Sequence, residues 1–307
     1  MTHNFFQLNE LLSDLLKANE PFSLLRIDNT AGYVMDCLHK NTVPVREFYN
    51  DTALIEGGIF PNTLDYAYDV VIPLNLEAMT HCDILGFVDL SGEVERNTAF
   101  TNLFGDKPKF YGADSLLVLD PCALLNADGA HQLETPWPTY LKDKKVLVVS
   151  THAETIKHQW NNIDNIWGWN KDKIAPFELV DVIKSPYHPI MDPNQYPDCN
   201  NWKDTVEYIK AKIDTYDYDV LIAGSTTSSP IYAEHAKQMG KVGIQTGGVH
   251  QLFFGIMGYR WSPEANNIYK PWAKFYNKHW MYPLEVDEPI NRKKYKSLET
   301  NYAYWKP

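Results

Sequence analysis

Lys145-Val146-Leu147-Val148-Val149-Ser150, followed at once by Thr151-His152-Ala153-Glu154, decides the fold class. A short apolar run behind the polar turn Lys142-Asp143-Lys144 predicts a buried strand. The S/T-x-x-E spacing from Thr151 to Glu154 is a capping-box signature, so a helix should start directly after it. The same change from strand to helix recurs downstream. Phe177 to Ile183 is β-rich and, after a proline-rich loop at 185–198, gives way to Trp202–Tyr216, where Val206, Ile209 and Ile213 recur at helical spacing. Tyr218 to Ala223 runs into the small-residue loop 224–229, with Ser229 as N-cap and Pro230 opening a helix that ends at Gly240. Val242 to Gln245 runs into Gly247-Gly248 and an apolar helix from about Val249 to Met257.

Four strands alternating with helices imply right-handed parallel crossovers, hence a Rossmann-like α/β fold with a mostly parallel sheet flanked by helices. Ligands of such sheets bind outside the carboxyl ends of the strands. The loops at Ser150–His152, Ser185–His188, Gly224–Ser229 and Gly247–Gln251 should therefore line one crevice. The first half is less regular. An amphipathic helix is expected over 4–18, a strand over Phe22–Ile27, a second helix over about Thr30–His39, and strands at 69–73 and 83–88. With no repeat or linker, residues 1–307 read as one α/β unit: an N-terminal half (1–140), a Rossmann-like half (141–261) and a wrapping tail (262–307). The tail carries Pro263, Pro271, Pro283 and Pro289 and is expected to lie as irregular structure over the surface.

The chain has 307 residues with 28 Lys+Arg against 39 Asp+Glu, a net charge of −11 that repels phosphate backbones, so nucleic acid is not an expected partner. No apolar run approaches the ~20 residues of a membrane span, and the N-terminal residues do not read as a secretory leader; a cytoplasmic protein is expected. The four cysteines, Cys37, Cys82, Cys122 and Cys199, form no C-x-x-C pair and read as reduced thiols. Small molecules are the expected ligands. The polar crevice candidates are Ser150, His152, Gln159, Ser225, His250 and Gln251. A histidine at a strand end has the ordinary pKa of a general base. His152 reads first as a surface residue of a capping box, His250 is the better placed of the two, and His158 and His235 read as solvated helix residues. The loops at Gly224 and Gly247-Gly248 offer bare backbone N–H groups to a phosphate, although an ordinary tight turn accounts for each alone. Arg26, at the end of a buried strand, needs a carboxylate or an anionic ligand, while Asp28 or Asn29 serves as an N-cap. The acidic stretch Glu285–Glu288 reads as solvated loop rather than as a metal site.

Several stretches, taken in order, resemble the GT-D fold glycosyltransferases, a family with a D-x-E motif. Arg26-Ile27-Asp28-Asn29-Thr30-Ala31 resembles the family's Arg-apolar-Gly-Asx-Gly/Thr-Glu segment. VLVVSTHAETIKHQ at 146–159, DVLIAGS at 219–225 and GKVGIQTGGVHQLFFGIMGYRW at 240–261 are similar to its strand-loop-helix segments. Asn277-Lys278-His279-Trp280, Pro283, Glu288-Pro289, Glu299 and Tyr304-Trp305 resemble the HW…YW ending of its less-characterised branch. The resemblance implies transfer of a sugar from a nucleotide-sugar to a glycan or small-molecule acceptor, with Mn²⁺ or Mg²⁺ bridging the donor diphosphate. For that chemistry Arg26 would stabilise the departing phosphate, and His152 or His250 would be the base if transfer inverts configuration. Asn29, Thr30, Ser150, Gln159, Gly224, Ser225, Gly247, Gly248, Gln251 and Arg260 fall to substrate binding. The family's metal-ligating Glu falls on Ala31, which cannot ligate a metal. Either Asp28 substitutes, or Asp36 reaches in, or metal-dependent transfer is lost and the chain is a binding or structural component, alone, as a homo-oligomer or in a larger assembly. A histidine at 152 also puts a titratable group where the family is apolar.

Overall fold

The computed structural model describes residues 5–27, 54–55, 57–87, 109–111, 116–125, 133–194, 198–224, 226–262, 270–291 and 304–305. Seven strands are described: β1 (Ser23–Ile27), β2 (Ile84–Phe87), β3 (Lys109–Tyr111), β4 (Lys145–Ser150), β5 (Glu178–Lys184), β6 (Val220–Ala223) and β7 (Val242–Gln245). They form one sheet in the order β3-β2-β1-β7-β6-β4-β5, and every pairing is parallel. The Rossmann-like α/β architecture expected from the alternation is the one observed.

The apolar runs of β4 and β6 sit in the middle of this sheet, where both faces need cover. Val146 and Val148 join a core on one face with Leu8, Leu12, Leu16 and Ile156, from the helices Phe5–Ala18 and Ala153–Trp160. Leu147 and Val149 point the other way, onto Val206, Ile209 and Ile213 of the helix Trp202–Ile213 and onto Tyr232 and Ala236 of the helix Ser229–Gln238. The period of two along a strand produces this split. On the β1 side, Leu25 and Ile27 pack with Met79 and Ala233.

Four expectations change. Residues 69–73 are helical: a π-turn at Ala67–Val71 continues into a helix at Ile72–His81. The β-branched run Val70-Val71-Ile72 looks like strand, but Ala67 and Val71 are buried at i,i+4, the spacing of one helix face. The helix expected from Val249 to Met257 is a 3₁₀ turn at Gly247–Val249 followed by His250–Phe253, and the chain turns away at Gly255 with φ +66°. The helix after β6 includes Ser229, so its N-cap is Ser228. The tail is irregular but fills the interior: Trp272, Trp280 and Trp305 are each at most 5% exposed. Proline interrupts regular structure without preventing aromatic burial, and the Trp272 indole N–H donates to the buried Asp120 carboxylate at 2.6 Å. The strand β3 was not among the expected elements, and the helix expected over 30–39 lies outside the described residues. Among the described residues, no helix is long and apolar enough to cross a membrane.

Candidate functional site

From β4 the chain leaves for β5, and from the adjacent β6 it leaves for β7 on the opposite side. Neighbouring strands whose connections part in this way open a crevice at their carboxyl ends. Ser150 ends β4 and Gly224 follows β6, so both lie at that point. His250, delivered by the turn after β7, completes the group. Its Nδ1 lies 2.8 Å from the Gly247 carbonyl and its Nε2 2.5 Å from the Ser150 hydroxyl. A carbonyl only accepts, so Nδ1 carries the proton and Nε2 accepts from Ser150. The Ser150 oxygen in turn accepts the backbone N–H of His152 at 3.0 Å. Ser150 and His250 are 0% and 1% exposed.

His152 stacks beside His250 at 6.2 Å between ring centres, and the edge-on ring of Trp305 meets it at 4.7 Å. Burial holds both imidazoles neutral. It depresses the pKa of His250 to about 4, with the Gly247 hydrogen bond working weakly the other way. His152 falls to about 3, through burial first, then the neighbouring His250 and more distantly Lys184, against an opposing contribution from Gln251. Its Nδ1 has no hydrogen-bond partner among the described residues. The expectation of a solvated first-turn histidine is therefore corrected. Thr151 does not cap the helix either. The amides of Glu154 and Thr155 and the Thr155 hydroxyl donate to the Asp287 carboxylate, at 3.2, 2.7 and 2.7 Å, and Lys184 pairs with it at 3.3 Å. Asp287 is wholly buried, so at this residue the solvated-loop reading of Glu285–Glu288 is overturned. The partially positive helix end and three donors offset the cost of that burial.

The three glycines that read as phosphate cradles are each packed by a side chain of this protein. A Cβ on Gly224 would fall 2.1 Å from His250 Nδ1, one on Gly247 2.5 Å from Arg26 Nη1, and one on Gly248 2.1 Å from the Tyr304 ring. Gly247 also has φ +61°, which a side chain would strain. Arg26 reaches across from β1: its backbone N–H donates to the Gln245 side chain at 2.8 Å and Nη1 to the Thr246 carbonyl at 2.7 Å. Arg260 donates to the Tyr304 hydroxyl at 3.2 Å and lies over that ring.

Arg26, Ser150, His152, Gly224, Gly247, Gly248, His250 and Gln251 thus gather along the carboxyl edge of the central strands, with Arg260 behind Tyr304. The Gln251 amide nitrogen is used on the Ile256 carbonyl. Gln159 spends its amide nitrogen on the carbonyls of Gly255 and His279 and ties a helix to the tail. Asp28, Asn29, Thr30, Asp36 and Ser225 lie outside the described residues. Sequence reasoning reached Tyr187 only as part of the crevice loop 185–188 and Asp287 only as part of an acidic stretch read as solvated, and it did not reach Lys184. Only the strand-end position of Lys184 and Tyr187 signalled them, and nothing local ties Asp287 to a helix 132 residues earlier.

Fold and site together define a parallel α/β protein with a histidine-serine pair at the topological switch point. No protein-family model, no curated protein and no solved structure matches the chain.

Proposed function

We propose that this protein is a glycosyltransferase that takes a nucleotide-sugar into the crevice along β1, β7, β6 and β4. The observation that carries the reading is His250, held neutral in one tautomer at the switch point with its basic nitrogen on the Ser150 hydroxyl. In this scheme an acceptor hydroxyl passes its proton to the Ser150 oxygen as the Ser150 proton moves to His250 Nε2. The acceptor oxygen bonds to the anomeric carbon, and the nucleoside diphosphate leaves. Arg26 supplies positive charge where the leaving diphosphate develops negative charge. Gly224, Gly247, Gly248 and Gln251 bracket the donor and Arg260 borders it through Tyr304, while the resemblance adds Ser225, Asn29 and Thr30 to donor binding. His152 stands by as a second imidazole. The whole chain acts as one unit, with the acceptor a glycan or a small molecule.

Among the described residues no group of three His, Cys, Asp or Glu side chains is placed to hold a metal, and the buried acid Asp287 is already satisfied by four donors. No step above is routed through Mn²⁺ or Mg²⁺, and Asp28 is the residue assigned to such an ion if one binds. A second reading, a catalytically inactive glycosyltransferase-like protein that serves as a binding or structural component, is favoured by the glycine faces, which already carry His250, Arg26 and Tyr304. Thermal-shift titration with nucleotide-sugars and nucleoside diphosphates, each with and without Mn²⁺, tests binding. A donor in hundredfold excess over its Kd should add roughly 3 kcal/mol of stability. No shift with any of them removes the transferase and leaves the structural component.

A further inference from the structure

Two pieces of the tail converge on the crevice. In the first, Met281 accepts the N–H of Met257 and donates its own to the Gly255 carbonyl, at 2.7 and 3.1 Å. The Leu284 amide then donates to the Thr155 hydroxyl, Asp287 caps the helix Ala153–Trp160, and Asn291 bonds the carbonyls of Met191 and Ile190 beyond β5. In the second piece, Tyr304 lies on Gly248 while Trp305 covers His152, contacts Tyr187 at 5.8 Å and accepts the Tyr259 amide at 3.0 Å. The near-complete burial of Ser150, His152 and His250 therefore coexists with cover that belongs to neither the sheet nor its helices.

The first piece has an unusual burial pattern. Val286 and Ile290 are 63% and 68% exposed, yet Asp287 between them is 0% exposed. A carboxylate turned inward while its apolar neighbours face water is held by its donors rather than by hydrophobic burial. We propose that Leu284–Asn291 and Tyr304–Trp305 form a strap over the site, with Asp287 as its latch, and that the strap lifts to admit a ligand to Ser150 and His250. This rests on the glycosyltransferase reading only for what the ligand is. Closed, the strap excludes water and leaves the imidazoles too weakly basic to take a proton efficiently. Lifted, it rehydrates them and returns their basicity toward that of an ordinary histidine.

Carbethoxylation of histidines by diethyl pyrocarbonate, read peptide by peptide, tests the strap on the full chain. In the native protein His152 and His250 should react at least roughly tenfold more slowly than the exposed His158, as expected for residues reached only through a local opening. Asp287→Asn keeps the shape but turns an amide NH₂ toward donors, and Trp305→Ala removes the cover. Either should raise the rates at His152 and His250 by about fivefold or more, by weakening the closed state relative to the open one. Unchanged rates in both folded variants, or native rates equal to that of His158, overturn the proposal. If the variants do not fold, hydrogen exchange of the native chain decides. Glu154, Thr155 and Leu284 amides exchanging at least roughly tenfold faster than those of Val148 and Ile222 support a strap that lifts by itself, and exchange in step with them overturns it. A wrong glycosyltransferase reading shows separately, as no nucleotide-sugar binding by native protein or Asp287→Asn while the histidine rates still divide.

Discussion

Acid should destabilise the fold through His250 in a defined window. In the native state its pKa is about 4, against the 6.5 of an ordinary histidine that an unfolded chain approaches. Between those values the unfolded chain holds a proton that the native ring does not. The stabilising contribution is complete above pH 6.5 and is lost as pH falls toward 4. One proton changes stability by about 1.4 kcal/mol per pH unit, so the whole window is worth about 3 kcal/mol. That is a large share of the ~5–15 kcal/mol that holds a typical domain together. His152 acts with the same sign over a wider window, down to about 3. Asp120 opposes them. Burial raises its pKa to about 6 from 3.8, so its contribution is present below 3.8 and is lost as pH rises toward 6. Raw acid slopes therefore mix signs, and the informative quantity is the difference between native protein and His250→Asn in urea denaturation at several pH values. The variant should be the less stable near pH 7, and the gap should narrow by about 1.4 kcal/mol between pH 6 and 5. A gap constant across that range would refute the neutral, desolvated His250.

Gly224→Ala should displace the His250 ring, since the new Cβ would fall 2.1 Å from Nδ1, and should cost about 1–3 kcal/mol by urea denaturation. An unchanged midpoint would place the ring elsewhere. Burial pushes the thiols of Cys82 and Cys122 well above their ordinary range, so neither should react with a thiol reagent at about pH 8 until the protein unfolds. Rapid labelling of either in the native state contradicts that burial.

The second half of the chain was legible because its central strands are covered on both faces. Val146 to Val149 must be apolar throughout, and such a run between a polar turn and a helix has few other readings. The first half carries weaker signals. β3 is three residues long, and the β-branched run at 70–72 is helical because Ala67 and Val71 pack at helical spacing, a fact set by tertiary contacts. At the site, Ser150 and His250 were legible as polar residues at strand ends. Their partnership spans 100 residues and depends on which strands are neighbours, so no local pattern contained it. The glycines were legible as places of close approach but not for what approaches them: in the structure it is the protein's own His250, Arg26 and Tyr304. Asp287 was hidden among acidic and exposed neighbours, and only the fold brings it to the open end of the helix Ala153–Trp160.

Release of nucleoside diphosphate from a panel of nucleotide-sugars, with native protein and His250→Gln side by side, tests the central claim most directly. The account predicts that one donor is turned over by the native chain and that His250→Gln slows it by roughly 100-fold or more, the scale of a lost general base, with donor affinity little changed. Turnover at equal rates in the two proteins, or tight donor binding with no turnover in either, would contradict it.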